Sequence, residues 1–214
     1  MVKDAILKHK LVAIVRGVAV GQLIPLLEAL YEGGVRLAEI TFDAKGIISA
    51  EETAQQIATA VKHFEGRMHI GAGTVLTVKQ AQLAIDSGAE FMISPNVDEA
   101  VIRYTKERGV ISMPGAFTPT EAVNAVNMGA DFIKIFPSDA VGPNYFKALC
   151  APLSHIKFLA VGGVDHLNVG DFLKAGAVGV GVASNIVKKD LLKNGDYAGI
   201  TNLAKLYVEA IEKV

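Results

Sequence analysis

Short apolar runs rich in β-branched residues recur eight times along the chain, each followed by room for a helix. The runs lie at 11–15, 35–41, 67–73, 89–95, 109–115, 130–137, 156–163 and 177–184. The segments between them, such as 20–32 and 50–64, carry apolar residues at helical spacing. Strands that are apolar on both faces and alternate with helices are typical of a parallel sheet covered by helices.

Eight such units predict a (β/α)8 TIM barrel rather than an open sheet. An open dinucleotide-binding sheet usually carries the motif GxGxxG after its first strand, whereas this chain has RGVAVGQ there. No linker, charge block or change in composition divides the 214 residues. We therefore expect residues 1–214 to form a single domain.

Helix ends are also marked. Thr77 and Thr118 precede helical patterns and are predicted to be N-cap residues, the latter with Pro119 in the first turn. Glycine follows several helical segments, as in EGGV at 32–35 and MGAD at 128–131, where it suits the left-handed residue that ends a helix.

Composition excludes several classes of protein. Hydrophobic residues make up 51% of the chain and charged residues 20%, which excludes general disorder. The apolar runs are shorter than the roughly 20 residues of a membrane span, and the N-terminus shows no secretory signal. Lys and Arg number 21 against 22 Asp and Glu, with no basic run, so we expect no nucleic-acid partner. The lone Cys150 cannot form an internal disulfide. These observations predict a cytoplasmic protein with a small-molecule ligand.

Lys134 lies in the middle of an apolar run, in the sequence DFIKIFP. Strand alternation places Phe132, Lys134 and Phe136 on one face, which we expect to line the barrel interior, and Ile133 and Ile135 on the other. A buried ammonium group loses hydration, so its pKa should fall. Such a lysine is the nucleophile that forms a Schiff base with a ketone. The alternative is a lysine paired with a buried carboxylate for structure alone.

Glu39 is the acidic residue well inside a predicted strand, in VRLAEITF. A glutamate near an iminium-forming lysine can move protons, directly or through a water. It could equally serve only as a counter-ion for Lys134, and the sequence leaves both roles open.

Further polar candidates follow the predicted strands, where barrels place their active sites. Arg16 ends the first strand, and its guanidinium suits a carboxylate or a phosphate, although a rim arginine can simply be solvated. Thr74 follows the third strand, with a helix cap as its alternative role. Gly162 and Gly163 follow the seventh strand and Ser184 the eighth, where barrels commonly build a phosphate site and a following helix N-terminus would add its dipole. Turn geometry alone is the alternative for these three.

Metal and hydrolase motifs are absent. The five histidines are scattered, with no HxH or HExxH spacing. Ser184 lies in GVASN, which lacks the GxSxG pattern of a nucleophile elbow. We therefore expect neither a metal site nor a cofactor.

Six motifs together resemble the 2-dehydro-3-deoxy-6-phosphogluconate (KDPG) / 4-hydroxy-2-oxoglutarate (KHG) aldolase family. They are EITF around Glu39, GAGTV around Thr74, FMISP ending at Pro95, MPGAFTPTE at 113–121, FIKIFPS around Lys134 and VGGV at 161–164. The resemblance covers essentially the whole chain, in order and with the family's spacing. It implies a class I aldolase on a (β/α)8 barrel that needs no metal and forms a homotrimer.

The resemblance also implies roles at matched positions. Lys134 would form the Schiff base, and Glu39 would be the general acid and base. Arg16 and Thr74 would hold the carboxylate end or polar groups of the substrate. The remaining matched residues are the walls of the pyruvyl pocket, Pro95 and Phe136, and the phosphate ligands, Gly162, Gly163 and Ser184.

Some positions depart from the family's common pattern. Asp43 stands where many members have an arginine that helps to bind the carboxylate, so Arg16, Thr74 or Lys45 must supply that contact. Val161 stands where many members have a threonine, which removes a hydroxyl that could bind a substrate hydroxyl.

The expected reaction is the retro-aldol cleavage of a 4-hydroxy-2-oxo acid. The resemblance implies that KDPG yields pyruvate and glyceraldehyde 3-phosphate, and that KHG yields pyruvate and glyoxylate. The galactonate epimer, 2-dehydro-3-deoxy-6-phosphogalactonate, is an alternative substrate. Two functions compete with the aldolase reading: a phosphosugar epimerase or isomerase with Glu39 as the base, and a barrel that binds a ligand without catalysis.

Overall fold

Parallel strands alternate with helices along the computed structural model, which describes residues 1–214. The strands are β1 (Leu11–Val15), β2 (Leu37–Thr41), β3 (His69–Gly73), β4 (Phe91–Ile93), β5 (Ile111–Met113), β6 (Gly115–Ala116), β7 (Ile133–Ile135), β8 (Phe158–Val161) and β9 (Gly179–Val182). The helices are α1 (Val2–His9), α2 (Val20–Glu32), α3 (Ala50–His63), α4 (Val78–Asp86), α5 (Glu99–Glu107), α6 (Pro119–Asn127), α7 (Gly142–Cys150), α8 (Val169–Lys174), α9 (Lys189–Lys193) and α10 (Tyr197–Glu212), with a 3₁₀ turn at Ser138–Ala140. None of these helices has the length and apolar composition needed to cross a membrane.

The sheet closes into a barrel through its fifth strand. Neighbouring strands follow the order β5-β4-β3-β2-β1-β9-β8-β7-β6. β5 and β6 are consecutive pieces of one strand on either side of Pro114, and they pair with β4 and β7 respectively. Proline has no N–H to donate, which interrupts the ladder at this residue. The predicted (β/α)8 barrel is therefore confirmed, with its fifth strand divided in two.

Residues along each strand point alternately into the barrel and toward the helices. The outward side chains join a cluster of 49 buried hydrophobic residues that includes Ile133 and Ile135. A separate cluster of eight residues, including Leu37 and Phe132, fills the barrel interior. The predicted orientation of the strand around Lys134 is therefore confirmed, because its isoleucines pack in the outer layer and Phe132 inside.

The N-terminal helix closes one end of the barrel. Ile6 of α1 is fully buried and belongs to the interior cluster. Complete burial of a side chain of this size contributes about 1.5–3 kcal/mol to stability. The opposite end, where the strands have their carboxyl termini, is therefore the end that stays open to a ligand.

The predicted helix ends are confirmed. Thr77 caps α4 by accepting from the N–H of Gln80, and Thr118 forms a reciprocal capping box with Glu121 at the start of α6. Gly129, directly after the last turn of α6, has φ 107°, a conformation that favours glycine. These local signals separate the helices from the strands that carry the site.

Candidate active site

A cavity of about 130 Å³ opens at the carboxyl ends of β1, β7, β8 and β9. Six of the nine predicted site residues line it: Arg16, Lys134, Phe136, Gly162, Gly163 and Ser184. Glu39, Thr74 and Pro95 do not line this cavity. Strands far apart in the sequence thus bring a lysine, an arginine, a glycine pair and the loop after β9 into one site.

Lys134 lies inside the barrel with its amine near an aromatic ring. The residue is 7% exposed, and Nζ lies 4.8 Å from the centroid of the Phe136 ring. Burial lowers the pKa of the Lys134 amine from its ordinary value, and Arg16 adds to this effect, while Glu39 opposes it. Lys134 takes part in none of the salt bridges of the chain. The amine is therefore not held in a direct ion pair, which the purely structural alternative requires.

Glu39 lies on β2, below the open end of the barrel, and is 1% exposed. Burial raises the pKa of its carboxyl group, while Lys134, Arg16 and the backbone N–H of Thr74 lower it. The carboxyl group packs directly on Gly73, where any Cβ would overlap Glu39 Oε1, Cδ and Cγ. Its Oε2 has no hydrogen-bond partner. A buried carboxyl group with a raised pKa and an unpaired oxygen can both accept and donate a proton.

Thr74 and Pro95 lie on the β3 and β4 side of the barrel mouth. Thr74 has φ 32°, an unusual value for a residue with a side chain, and directly follows β3. The alternative that Thr74 is a helix cap is wrong, because Thr77 caps α4. The backbone of Pro95 packs against Gly115, where a Cβ would overlap the Pro95 carbonyl group. Glycine at position 115 therefore lets β6 approach the end of β4.

Several backbone N–H groups at the cavity have no protein acceptor. Those of Gly162, Gly163, Ser184 and Asn185 are among them. Gly162 and Gly163 have φ of 99° and 66°, and Asp139 packs so closely on Gly163 that a Cβ would overlap it. Unpaired N–H groups that line a concave surface bind anions well. Together with Arg16 and Lys134, they make this cavity suited to an anionic ligand.

The helix that follows the glycine pair does not begin at the anion site itself. α8 begins only at Val169 and has six residues. The intervening loop is held by side chains instead: Asn168 donates to the Gly163 carbonyl at 3.0 Å, and Asn185 donates to the Val164 carbonyl at 3.0 Å. The donors at this site are therefore loop N–H groups, because polar side chains rather than a helix order the backbone.

Asp43, which replaces the arginine common in the family, organises the loop after β2. Its carboxylate accepts from the backbone N–H groups of Lys45, Ile47 and Ile48 at 3.0, 2.8 and 3.2 Å. These bonds lower the pKa of the Asp43 carboxyl group. Lys45 lies in this exposed loop and does not line the cavity. Of the three residues expected to replace the arginine, only Arg16 lines the cavity.

Ser138 and Asn185 were not singled out from the sequence. Ser138 is fully buried, donates to the Ile135 carbonyl at 2.7 Å and accepts from the Val161 N–H at 2.9 Å. It therefore joins the ends of β7 and β8, which carry Lys134 and the glycine pair. Asn185 joins the loops after β8 and β9. Only the positions of these residues, directly after predicted strands, could have indicated their roles.

No group of three or more His, Cys, Asp and Glu residues in the structure could hold a metal ion. The site instead combines an amine whose pKa is lowered, a carboxyl group whose pKa is raised, and N–H and guanidinium donors. An amine can add to a ketone carbonyl, and a neighbouring carboxyl group can move the protons that this addition requires. The arrangement fits covalent catalysis on an anionic oxo acid.

Comparison with known proteins agrees with this chemistry. The family model described as "KDPG and KHG aldolase" matches residues 2–203. A Rhizobium meliloti protein named probable 2-dehydro-3-deoxy-6-phosphogalactonate aldolase is 37% identical over 183 residues, which are 85% of this chain and 84% of the relative. The 2-dehydro-3-deoxy-6-phosphogalactonate aldolase of Escherichia coli is 33% identical over 96% of this chain and 98% of its own.

A solved structure with the same fold contains a covalent intermediate. It is the KDPG aldolase of Legionella pneumophila with pyruvate captured as a carbinolamine. It is 26% identical to this chain, has a TM-score of 0.85, and the alignment covers 95% of this chain and 96% of that one.

Proposed function

The chain belongs to the KDPG and KHG aldolase family, and from this premise we propose that Lys134 is the residue that forms the Schiff base. The chain is a class I aldolase, which cleaves a 4-hydroxy-2-oxo acid through an imine. The observation that carries the assignment of Lys134 is the burial of its amine, without a direct ion pair, at the cavity suited to an anionic ligand. A lowered pKa increases the fraction of neutral amine, which is the nucleophilic form.

In the proposed mechanism, Lys134 Nζ attacks the C2 carbonyl of the substrate to form a carbinolamine, which loses the C2 oxygen as water and becomes a protonated imine. Glu39 then removes the proton of the C4 hydroxyl, directly or through a water. The C3–C4 bond breaks, its electron pair neutralises the iminium, and the products are a free aldehyde and the enamine of pyruvate. Protonation of the enamine at C3 and hydrolysis of the imine release pyruvate and restore the amine. Each step is easier than direct cleavage, because the iminium accepts the electron pair.

The anion donors favour a substrate with a phosphate group. We assign the phosphate to the N–H groups of Gly162, Gly163 and Ser184, and the carboxylate end of the substrate to Arg16 and Thr74. Phe136 and Pro95 would bound the pyruvyl group. This assignment favours the phosphorylated six-carbon acid KDPG over unphosphorylated KHG, since KHG leaves the phosphate donors unused.

The galactonate epimer is a second candidate substrate. Val161, which lines the cavity, offers no hydroxyl to a substrate hydroxyl. One hydrogen bond contributes about 0.5–1.5 kcal/mol, so its loss changes the preference between two epimers by up to roughly tenfold. The names of the Rhizobium meliloti and Escherichia coli relatives also support activity on the galactonate compound.

Family membership further supports the proposal that residues 1–214 act as a single domain, that three copies form a homotrimer, and that the enzyme works in the cytoplasm without a metal or cofactor. Light scattering of the purified protein measures the mass of the assembly. A mass equal to one or two chains would contradict the trimer.

The test of the proposed chemistry is reductive trapping. The enzyme is incubated with pyruvate and borohydride, and the modified peptide is located by mass spectrometry. We expect one pyruvate-derived adduct at Lys134. It should be absent in Lys134→Met and unchanged in Lys147→Met, a control at an exposed lysine of α7. A wild-type enzyme without the adduct would favour an epimerase or a ligand-binding barrel.

The substrate is identified by measuring kcat/KM for three compounds: KDPG, its galactonate epimer and KHG. We expect kcat/KM to be higher for both phosphorylated acids than for KHG. Higher efficiency on KHG would contradict the assignment of the phosphate site.

A further inference from the structure

Two buried side-chain oxygen atoms on β2, one of them in the proposed catalytic carboxyl group, have no hydrogen-bond partner. They are Glu39 Oε2 and Thr41 Oγ1, and only one other buried side-chain atom of the chain, the Tyr207 hydroxyl, shares this property. Glu39 is 1% exposed and Thr41 is 6% exposed. Burying a polar atom without a partner costs about 1–3 kcal/mol. Two such atoms two residues apart on one strand therefore leave hydrogen-bonding capacity for a further polar group, since buried polar atoms are rarely left unpaired.

The two side chains share the inner face of β2. Leu37 lies in the interior cluster, whereas Ala38 and Ile40 lie in the outer one. The alternation therefore points Glu39 and Thr41 into the barrel. Thr41 is paired in register with Gly73, the residue on which the Glu39 carboxyl group packs. The hydroxyl and the carboxyl group thus lie at the same height in the barrel.

A water molecule is suited to such a site. Buried waters commonly make about three hydrogen bonds to otherwise unsatisfied polar groups. A threonine hydroxyl can both donate and accept, and a carboxyl group can do so in its protonated form. Thr41 and Glu39 make no hydrogen bond to each other, so a third group can bond to both.

We propose that Thr41 is a positioning residue, whose hydroxyl holds the water through which Glu39 moves protons to and from the substrate. The inference rests on the proposed role of Glu39 and extends it to a residue with no assigned role. During turnover, the water takes a proton from C3 of the pyruvyl imine as the enamine forms, and passes it to Glu39. The reverse transfer protonates the enamine, so protons and electrons balance without another reactant.

Proton exchange of pyruvate in D2O tests this role directly. With pyruvate alone, the enzyme forms the imine and the enamine, and the methyl protons are replaced by deuterium, which NMR measures. Pyruvate has no C4 hydroxyl, so the measurement reports on the water and not on a substrate hydroxyl held by Thr41. The final yield of borohydride-trapped adduct at Lys134 is measured in parallel, since it reports imine formation alone.

Three variants are compared with the wild type. Thr41→Val removes the hydroxyl and keeps the shape, and Thr41→Ser keeps the hydroxyl. Thr105→Val is a matched control, because Thr105 is fully buried on α5 and donates to the Val101 carbonyl at 2.7 Å, away from the site. We expect Thr41→Val to slow exchange by roughly 10- to 100-fold, at or below the usual effect of general acid–base catalysis. Thr41→Ser and Thr105→Val should exchange within about threefold of the wild type, and all variants should give the full trapped yield.

Three results would overturn the role of Thr41 and leave the aldolase chemistry intact. The first is a Thr41→Val variant that exchanges within about threefold of the wild type. The second is a Thr41→Val variant that slows aldol cleavage but not exchange, which would make Thr41 a ligand of the C4 hydroxyl. A Thr41→Val variant that cannot be trapped, with a melting temperature equal to that of Thr105→Val, also contradicts the proton role. A wild-type enzyme that neither exchanges nor traps pyruvate would instead refute the proposed function.

Discussion

Replacing Gly73 by alanine should move the Glu39 carboxyl group, which we propose is catalytic, while leaving the glutamate itself in place. A Cβ at position 73 would overlap three atoms of the Glu39 side chain. Overfilling a packed interior costs about 1–3 kcal/mol. For a chain of this length, each kcal/mol lowers Tm by about 2–4 °C, so we expect a decrease of about 2–12 °C.

The effect on catalysis should be larger than the effect on stability. Since the carboxyl group is buried, it can escape the new methyl group only by moving relative to Lys134. Misplacement of a reacting group by about 1 Å can cost roughly 100-fold in rate. We therefore expect kcat for cleavage to fall by about 100-fold in Gly73→Ala, with the trapped pyruvate adduct at Lys134 preserved.

Gly33→Ala is the matched control. A Cβ at Gly33 would overlap the Ala204 side chain, between the end of α2 and helix α10, far from the site. This variant should lose a comparable amount of Tm and keep its kcat. The double variant Gly73→Ala with Glu39→Asp should regain part of the lost Tm, since aspartate is one methylene shorter. Two outcomes refute the reasoning: a Gly73→Ala enzyme with a lowered Tm and nearly normal kcat, or an equal loss of kcat in both single variants.

Further predictions concern the pH dependence, the loops and the substrate preference. Burial lowers the pKa of Lys134, and only the neutral amine attacks the ketone. The rate of imine formation should therefore rise with pH and level off below pH 10.5, the ordinary lysine pKa. A rate that still rises above that pH would contradict the lowered pKa. Asp43→Ala removes the acceptor of three backbone N–H groups. The Tm measured by calorimetry should therefore fall, while borohydride still traps pyruvate on Lys134. An unchanged Tm would show that the loop does not depend on this carboxylate. Val161→Thr introduces a hydroxyl into the cavity and should change the ratio of kcat/KM for the two phosphorylated epimers by up to roughly tenfold. An unchanged ratio would show that residue 161 does not contact the substrate hydroxyl at which the two epimers differ. Asn185→Ala removes the hydrogen bond to the Val164 carbonyl and should raise KM for phosphorylated substrates more than KM for KHG. Equal increases in KM would argue against a role of Asn185 at the phosphate site.

The contacts around Glu39 and Asp43 show where sequence reasoning ends. The strand pattern places Glu39 inside the barrel, and its packing on Gly73 depends on the register between β2 and β3. In the sequence, Asp43 indicates only that the anion-binding arginine common in the family is missing. In the structure, its carboxylate accepts from three backbone N–H groups of its own loop. Similarly, the glycine pair predicts an anion site, whereas Asn168 orders the loop in place of the expected helix terminus.

The sequence by itself determined the alternation of strands and helices, the caps at Thr77 and Thr118, and the face of β7 that carries Lys134. These features follow from the repeat of two residues in a strand and about 3.6 in a helix, and from hydrogen bonds between near neighbours. Only the tertiary structure decided which side chains meet and how their pKa values change. Glu39 and Lys134 lie on strands far apart in the chain, and closure of the barrel both buries them and sets the distances on which their electrostatic interaction depends.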